Sequence, residues 1–345
     1  MQDTLDQSSI EAAAALRRIV HGLRAAQALF VAAELRIADH LATGPLTGSE
    51  LAVLTGADAG ALGRVMRALC SLDVFAELGS GHFTLGSAGR QLRSDVDGSH
   101  RAVILLLVGA ARWRCWSSLL ETVRTGENAC DRVLGMRLFD FYAAHEQESK
   151  IQVDAMRSMS TTHAKSVVDA IDFPAAGIIV DVGGGTGELL AAALAANPGL
   201  SGILHDLPNV VAHAAPVLAA AGVANRCKVE GGSFLEKVPG SGDVYLLKQV
   251  IHDWDDARAA MILRRCRKCM PSAARLLIIE RRMPEVAEPG TSAEAFFADL
   301  EMLVMNGGRE RTESEYRRLL ADTGFRLLSV SHTASPLCVF EAQFD

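Results

Sequence analysis

The sequence predicts an α/β protein in which a C-terminal Rossmann-like domain with a parallel sheet follows a mainly helical, winged-helix-like module. Three observations carry this. A β-branched run, Ile178-Ile179-Val180-Asp181-Val182, leads straight into Gly183-Gly184-Gly185-Thr186-Gly187 and a helical Glu188–Ala196. Beyond it, short apolar strands alternate with helical segments, the pattern of βαβ units. Ahead of it, Ala- and Leu-rich helices give way to a helix-turn-helix outline and a hairpin. At 345 residues the chain exceeds what one core usually organises. The expected divisions are 1–100, a winged-helix-like domain; 101–170, a helical linker and pocket wall; and 171–345, the Rossmann-like domain.

In order along the chain, Ile10 to Leu41 carries apolar residues at helical spacing (Leu16, Ile19, Val20, Leu23, then Leu29, Val31, Leu35, Ile37) and predicts two helices. Thr47-Gly48-Ser49-Glu50 opens a short helix, Thr55-Gly56-Ala57-Asp58 turns, and Ala61 to Leu72 forms a second amphipathic helix. Val74–Glu77, the turn Gly79-Ser80-Gly81 and His82–Leu85 read as a small hairpin. Between Glu50 and Asp95 there are five acids (Glu50, Asp58, Asp73, Glu77, Asp95) and four bases (Arg64, Arg67, Arg90, Arg93). A groove reader needs a basic excess to neutralise phosphates, so protein contact is the expected use of this module and nucleic acid is not an expected partner. The apolar helices ahead of it point to subunit association.

Composition excludes several classes. Hydrophobic residues make up 49% and charged residues 22%, which suits a globular protein, and the formal net charge of −7 offers no general attraction to anionic membranes or nucleic acid. The cysteines at 70, 115, 130, 227, 266, 269 and 338 are odd in number and irregular in spacing, which favours a reducing compartment and a cytoplasmic location. Cys266 and Cys269 form a C-x-x-C without a second pair, so ordinary helix residues rather than metal ligands are expected. The N-terminal apolar stretch is interrupted by Arg17, Arg18, His21 and Arg24 and does not read as a signal peptide. Val103–Ala111 falls far short of the ~20 residues of a membrane-spanning helix.

Residues 100–170 read as helical throughout, with Trp113, Trp116, Leu119 and Leu120 on one stripe, followed by Phe139, Phe141 and Tyr142. Core packing is the favoured use of these aromatics, and a substrate wall the alternative. Met156, Met159, Ser160 and His163 recur at helical spacing, and thioethers suit an irregular planar ligand as well as an irregular core.

In the Rossmann-like part, the glycines permit a tight turn and close ligand approach at a helix N-terminus, where a pyrophosphate or a methionine carboxylate would be at home. The second strand, Gly202–His205, ends at Asp206, placed to accept hydrogen bonds from ribose hydroxyls. Pro208 opens the next helix. A third strand, Cys227–Glu230, runs into Gly231-Gly232-Ser233-Phe234, where Phe234 suits an adenine face and Ser233 a hydrogen bond. A fourth, Asp243–Lys248, leads to Gln249-Val250-Ile251-His252-Asp253-Trp254, so that His252 stands just past the sheet's C-terminal edge. There it is either a general base or a surface imidazole beside an Asp-capped helix. A fifth strand, Leu276–Ile279, and a helix, Ala293–Met305, follow, with Asp299, Met302, Leu303 and Asn306 on one face. Asn306 also suits the helix C-cap.

Asp181-Val182-Gly183-Gly184-Gly185-Thr186-Gly187 resembles the first motif of class I methyltransferases, and its spacing differs from the dinucleotide Gly-x-Gly-x-x-Gly. Together with His205-Asp206-Leu207-Pro208 and His252-Asp253-Trp254, the chain resembles the O-methyltransferase family that includes plant caffeic acid enzymes and bacterial polyketide, phenazine and antibiotic enzymes. The resemblance covers nearly the whole chain and implies a class I methyltransferase domain behind a winged-helix dimerisation domain, a homodimer, and S-adenosylmethionine as cofactor, with S-adenosylhomocysteine as product. Asp181, Gly183, Gly185, Gly187, Asp206, Leu207, Ser233, Phe234 and Lys248 would bind it, with Lys248 near the adenine edge. Plant members carry an acid where this chain has Ser233. The resemblance also makes His252 the base, flanked by Glu280 at the end of the fifth strand and by Glu310. Met156, Met159, His163, Asp253, Trp254, Asp299, Met302, Leu303 and Asn306 would then face a hydroxylated aromatic acceptor that is methylated by in-line displacement, without a metal. Rival readings are a cofactor-binding hydroxylase or decarboxylase on the same scaffold, and a winged-helix regulator that senses a metabolite.

Overall fold

The structure, a computed structural model, describes residues 7–288 and 290–345. The chain divides into two compact units, Met1–Trp113 and Arg114–Asp345. In the first, α1 (Gln7–Glu34) and α2 (Ile37–His40) precede β1 (Leu46–Thr47), α3 (Gly48–Thr55), α4 (Ala59–Cys70), β2 (Phe75–Leu78), β3 (His82–Leu85) and α5 (Arg101–Val108). Local chemistry sets the helix starts. The Thr47 hydroxyl accepts from Glu50 N while the Glu50 carboxylate accepts from Thr47 N, a reciprocal capping box, and Asp58 caps α4 through Ala61 N. Strands pair antiparallel in the order β1-β3-β2, the short β1 adding a strand to the expected hairpin. Leu51, Leu62, Met66, Leu69, Phe75 and Phe83 form the core. The N-terminal half of α1 leaves Leu16, Ile19, Val20 and Leu23 exposed.

The segment expected to be helical throughout is broken into α6 (Ala110–Trp116), α7 (Leu119–Thr125), α8 (Ala129–Leu134), α9 (Leu138–Ala144) and the long α10 (Glu146–Val168). Left-handed Gly126 and Gly135 end α7 and α8, and Asn128 caps the start of α8. The expected stripe is therefore corrected. Trp113 and Trp116 lie on α6, Leu119 and Leu120 on α7, and Leu120 is exposed.

The second unit continues with β4 (Gly177–Val182), α11 (Glu188–Ala196), β5 (Leu200–Asp206), α12 (Pro208–Val211), α13 (Ala214–Ala220), β6 (Cys227–Gly231), β7 (Val244–Lys248), α14 (Asp256–Cys269), β8 (Arg275–Met283), α15 (Ala293–Met305), β9 (Arg311–Thr312), α16 (Glu313–Ala321), β10 (Phe325–His332) and β11 (Leu337–Phe344). Among the described residues the main strand order is β10-β11-β8-β7-β4-β5-β6, with β9 paired to β8. The chain leaves β4 outward through β5 and β6, then returns to β7 on the other side. This reversal opens a crevice at the carboxyl edge of β4 and β7, the usual ligand site of an open α/β sheet.

Strands β4, β7 and β8 are covered on both faces, which is why they read as apolar runs instead of alternating ones. The fifth strand ends later than expected. It continues to Met283, so Glu280 lies inside it, because β11 pairs along Leu276–Arg281 and β9 pairs with Arg282 and Met283. The charged Glu280-Arg281-Arg282 run hid that extension. Cys266 and Cys269 lie on α14 as free thiols. Among the described residues no helix is long and apolar enough to cross a membrane. Leu277, fully buried in β8, packs among Ile179, Val244 and Leu246. Leu277→Ala is expected to lower stability by ~2–5 kcal/mol, read by urea unfolding, and an unchanged midpoint would contradict this packing.

Candidate active site

A cavity of about 360 Å³ opens at the crevice beside β4 and β7. Its floor is the loop between β4 and α11. Gly183 has φ +70°, and a Cβ there would come within 2.7 Å of Val250 Cγ2 and 3.3 Å of Phe234 Cε1, so a side chain would press into the cavity wall. Asp206 ties the loop to the end of β5. Its Oδ2 accepts from Gly185 N at 2.8 Å and its Oδ1 from Leu207 N at 2.6 Å. Each oxygen keeps a lone pair for a further donor.

Of the cofactor residues expected from sequence, Asp181, Gly183, Gly185, Asp206, Leu207, Ser233, Phe234 and Lys248 line this cavity. Gly187 does not. It is the N-cap of α11 at φ +92°. Of the expected acceptor residues, Met156, Asp253 and Trp254 line it, whereas Met159, His163, Asp299, Met302, Leu303 and Asn306 are not part of its wall. On α10 the inward positions are Gln152, Met156 and Ser160, four apart, with Val153 and Arg157 beside them. Met159, three residues after Met156, lies at the edge of that face and is not part of the wall.

Aromatic residues close another side. Phe234 meets Trp254 edge to face at 6.3 Å, Phe139 stacks on it at 6.4 Å, and the Arg137 guanidinium lies 5.6 Å from the Trp254 ring centre. Phe139 lines the wall, the alternative use given for that aromatic group, whereas Arg137, Gln249 and Glu188 were not singled out in the sequence. For Gln249 no local signal existed, since its positive φ of +52° is unusual for a residue that is not glycine.

The electrostatics favour a cationic guest. Asp181 is buried with both carboxylate oxygens unpaired. Burial, partly offset by the Lys248 ammonium and reinforced by Asp206 and Glu188, pushes its pKa up to about 7. Burial also raises Asp206, against its two backbone hydrogen bonds, and lowers Lys248, against Asp181, Glu280 and Glu188. Lys248 Nζ donates to Ser160 Oγ at 3.0 Å and Gln249 Oε1 at 2.8 Å. Such an acid-rich wall fits a ligand bearing ammonium and sulfonium charge and disfavours the two phosphates of a dinucleotide. The orphaned Asp181 oxygens and the side-chain-free cradle at Gly183 fit S-adenosylmethionine.

His252 lies in a 3₁₀ turn just past β7 and is 8% exposed. Its Nδ1 is 2.8 Å from Glu310 Oε1 and 3.5 Å from Glu280 Oε2, while Nε2 is on the Asp253 side, 3.7 Å from its Oδ1. The structure thus brings together His252, Glu280 and Glu310. Glu280 does more than flank the ring: its Oε1 accepts from the backbone N–H of Val250 at 3.0 Å, Ile251 at 2.9 Å and His252 at 3.3 Å. Burial disfavours the imidazolium, but the carboxylates of Glu280, Glu310 and Asp253 and the Glu310 hydrogen bond outweigh it and raise His252 to about 10. Burial pushes Glu280 up to about 7 despite His252, with Glu310 adding to the rise.

The residues of α15 act one step back. Asp299 Oδ1 accepts from Glu310 N at 2.8 Å, and Asn306, the C-cap of α15, donates to Asp253 Oδ1 and has the Met302 sulfur 4.0 Å away.

Comparison with known proteins identifies the family. Residues 116–326 match an O-methyltransferase domain and residues 18–92 an O-methyltransferase dimerisation domain. Phenazine O-methyltransferase PhzM of Lysobacter antibioticus is 40% identical over 331 residues, covering 95% of each chain. The mitomycin 7-O-methyltransferase MmcR superposes with a TM-score of 0.91 at 35% identity, over 98% of this chain and 100% of the other. NcsB1 from neocarzinostatin biosynthesis, solved with S-adenosylmethionine and 2-hydroxy-5-methyl naphthoic acid, matches with a TM-score of 0.80 at 32% identity over 93% and 96%. The two-part architecture is accordingly a dimerisation domain followed by a class I methyltransferase fold. The chain belongs to the O-methyltransferase family and is an S-adenosylmethionine-dependent enzyme.

Proposed function

We propose that the enzyme methylates a hydroxyl group of an aromatic small molecule of secondary metabolism, with His252 as general base. The observation that carries this is the 2.8 Å contact between His252 Nδ1 and the buried Glu310 carboxylate, one residue from the cavity wall at Asp253. With Nδ1–H donating to Glu310, the free lone pair is on Nε2, where it takes the proton of the acceptor hydroxyl. Glu310 sets the tautomer and favours the imidazolium that forms, and Glu280 holds the turn. Asp181, Gly183, Gly185, Asp206, Leu207, Ser233, Phe234 and Lys248 hold the cofactor, with Gly187 shaping the loop behind them. When bound, S-adenosylmethionine supplies an electrophilic methyl group for in-line displacement. Positioning within the site contributes much of the acceleration.

The aromatic class of acceptor is supported by the planar surfaces of Phe139 and Trp254, by the pliable Met156, and by the phenazine and naphthoic acid named for the relatives. The exposed apolar half of α1 and the match to a dimerisation domain support a homodimer. We assign residues 1–100 to that association, 101–170 to the linker and pocket wall, and 171–345 to catalysis. The free thiols support a cytoplasmic setting.

His252→Ala is expected to lower turnover by about 10²–10⁴-fold while S-adenosylhomocysteine affinity, measured by calorimetry, stays within about twofold. Unchanged turnover would remove His252 from the chemistry, and product mass separates methylation from hydroxylation or decarboxylation. A base held at about 10 is mostly protonated at neutral pH, and only its neutral form accepts a proton. Hence kcat/KM is expected to climb with pH from 7 toward 10, close to the ordinary phenol pKa of about 10. Glu310→Gln removes a carboxylate that raises this pKa, so the rising limb moves to lower pH; a limb that stays put or moves up contradicts the assignment. Asp206→Ala should weaken S-adenosylhomocysteine binding by about 10–100-fold.

A further inference from the structure

Arg311 is 1% exposed, yet it touches neither the cavity nor the imidazole. Although it follows Glu310 directly, its ion pair is with Asp256 at the start of α14, at 2.8 Å. The rest of the guanidinium is spent on main-chain oxygens around His252. Nη1 donates to Ile251 O at 3.1 Å and Arg309 O at 3.3 Å, and Nη2 to Trp254 O at 2.9 Å. Nε and Nη2 both reach Asp256 Oδ1. The carbonyl of His252 itself accepts from Arg309 N at 2.8 Å, and Gly308 has no room for a Cβ, which would fall 2.1 Å from that carbonyl.

We infer that Arg311 is a positioning residue for the reaction, a buried clamp that fixes the His252 turn from its carbonyl side and so sets the direction of the imidazole. The inference rests on the reading of His252 as the base. Glu280 satisfies N–H groups of this turn and leaves its carbonyls to other donors. Arg311 reaches the carbonyls of Ile251 and Trp254, on either side of His252, and directly follows Glu310 at the start of β9. Tautomer partner and backbone clamp therefore move as one piece. The planar five-donor fork is what allows two carbonyls of one turn and a carboxylate to be bound together. A lysine ammonium, a single point with three donors, cannot span them.

The test uses the full-length enzyme, with 2-hydroxy-5-methyl naphthoic acid and other hydroxynaphthoates as acceptor probes and S-adenosylhomocysteine as the binding probe. Arg311→Lys is expected to lower kcat by about 10–100-fold, as misplacement of a reacting group does, with S-adenosylhomocysteine affinity within about twofold. The downfield Nδ1 proton resonance of His252 in ¹⁵N-histidine-labelled enzyme is expected to shift or vanish. Asp256→Asn, altering a mostly exposed partner on a helix capped by Asp255, provides a second folded variant and should shift the same resonance. A resonance unmoved in both variants, or in Asp256→Asn alone where the lysine variant does not fold, overturns the inference, even if thermal stability falls. His252→Ala run in parallel separates the two readings. Full turnover there defeats the base assignment alone, whereas a dead His252→Ala enzyme beside a fully active Arg311→Lys enzyme defeats the clamp alone.

Discussion

Burying a polar turn is the constraint on which the rest of this site depends. Residues 250–254 carry the imidazole into a region where Ile251 is fully buried, so their peptide groups need partners other than water. One carboxylate, Glu280, answers for the N–H side, and one guanidinium, Arg311, answers for much of the carbonyl side. Both come from distant chain segments, and the sheet delivers them. In the β7–β8 register Lys248 pairs with Ile279, and Gln249 N still bonds Ile279 O, which puts Glu280 directly under the turn. The turn after α15 delivers Glu310 and Arg311 together, with Gly308 allowing that strand to pass against the His252 carbonyl.

The same sheet edge holds two charge environments. Around the glycine loop, acids outnumber nearby cations and stay only partly compensated, which suits a positively charged cofactor. Around His252, carboxylates are gathered tightly enough to hold a proton on the imidazole: ligand atoms of His252, Glu280 and Glu310 lie within 4.8 Å of one another. Lys248 stands between the two environments and feels carboxylates of both. The loop environment is organised by backbone amides on Asp206, and the imidazole by side chains on backbone.

Much of this was legible in the residues. The β-branched run into five loop residues with four glycines, Asp206 at the next strand end, and the His-Asp-Trp run after β7 are local patterns, and local patterns survive in sequence. Caps such as Thr47 with Glu50 and Asp58 fixed helix starts for the same reason. What escaped depends on contacts across the chain. Glu280 read as a strand end because the charges following it broke the apolar run, whereas the partner strands that extend β8 lie some 30 to 60 residues further on. Arg311 carried no mark in the sequence because its acceptors are carbonyls, which every residue has. The breaks in 100–170 turn on single glycines and caps within a composition that is helical everywhere. The stripe of α10 that faces the cavity cannot be chosen from periodicity alone, since Met156 and Met159 are equally apolar.

The cavity-facing stripe of α10 has a consequence for how such an enzyme changes over time. Gln152, Met156 and Ser160 reach the ligand space from a helix tied to the sheet edge there by the Ser160–Lys248 hydrogen bond. His252 and the two glutamates around it, by contrast, belong to the turn after β7, to β8 and to the residue before β9. Single substitutions at residues 152 and 156 can therefore reshape the cavity without disturbing a peptide group around His252. In this architecture the shape of the cavity and the setting of the imidazole are encoded in different stretches of the gene, so that either can change while the other is kept.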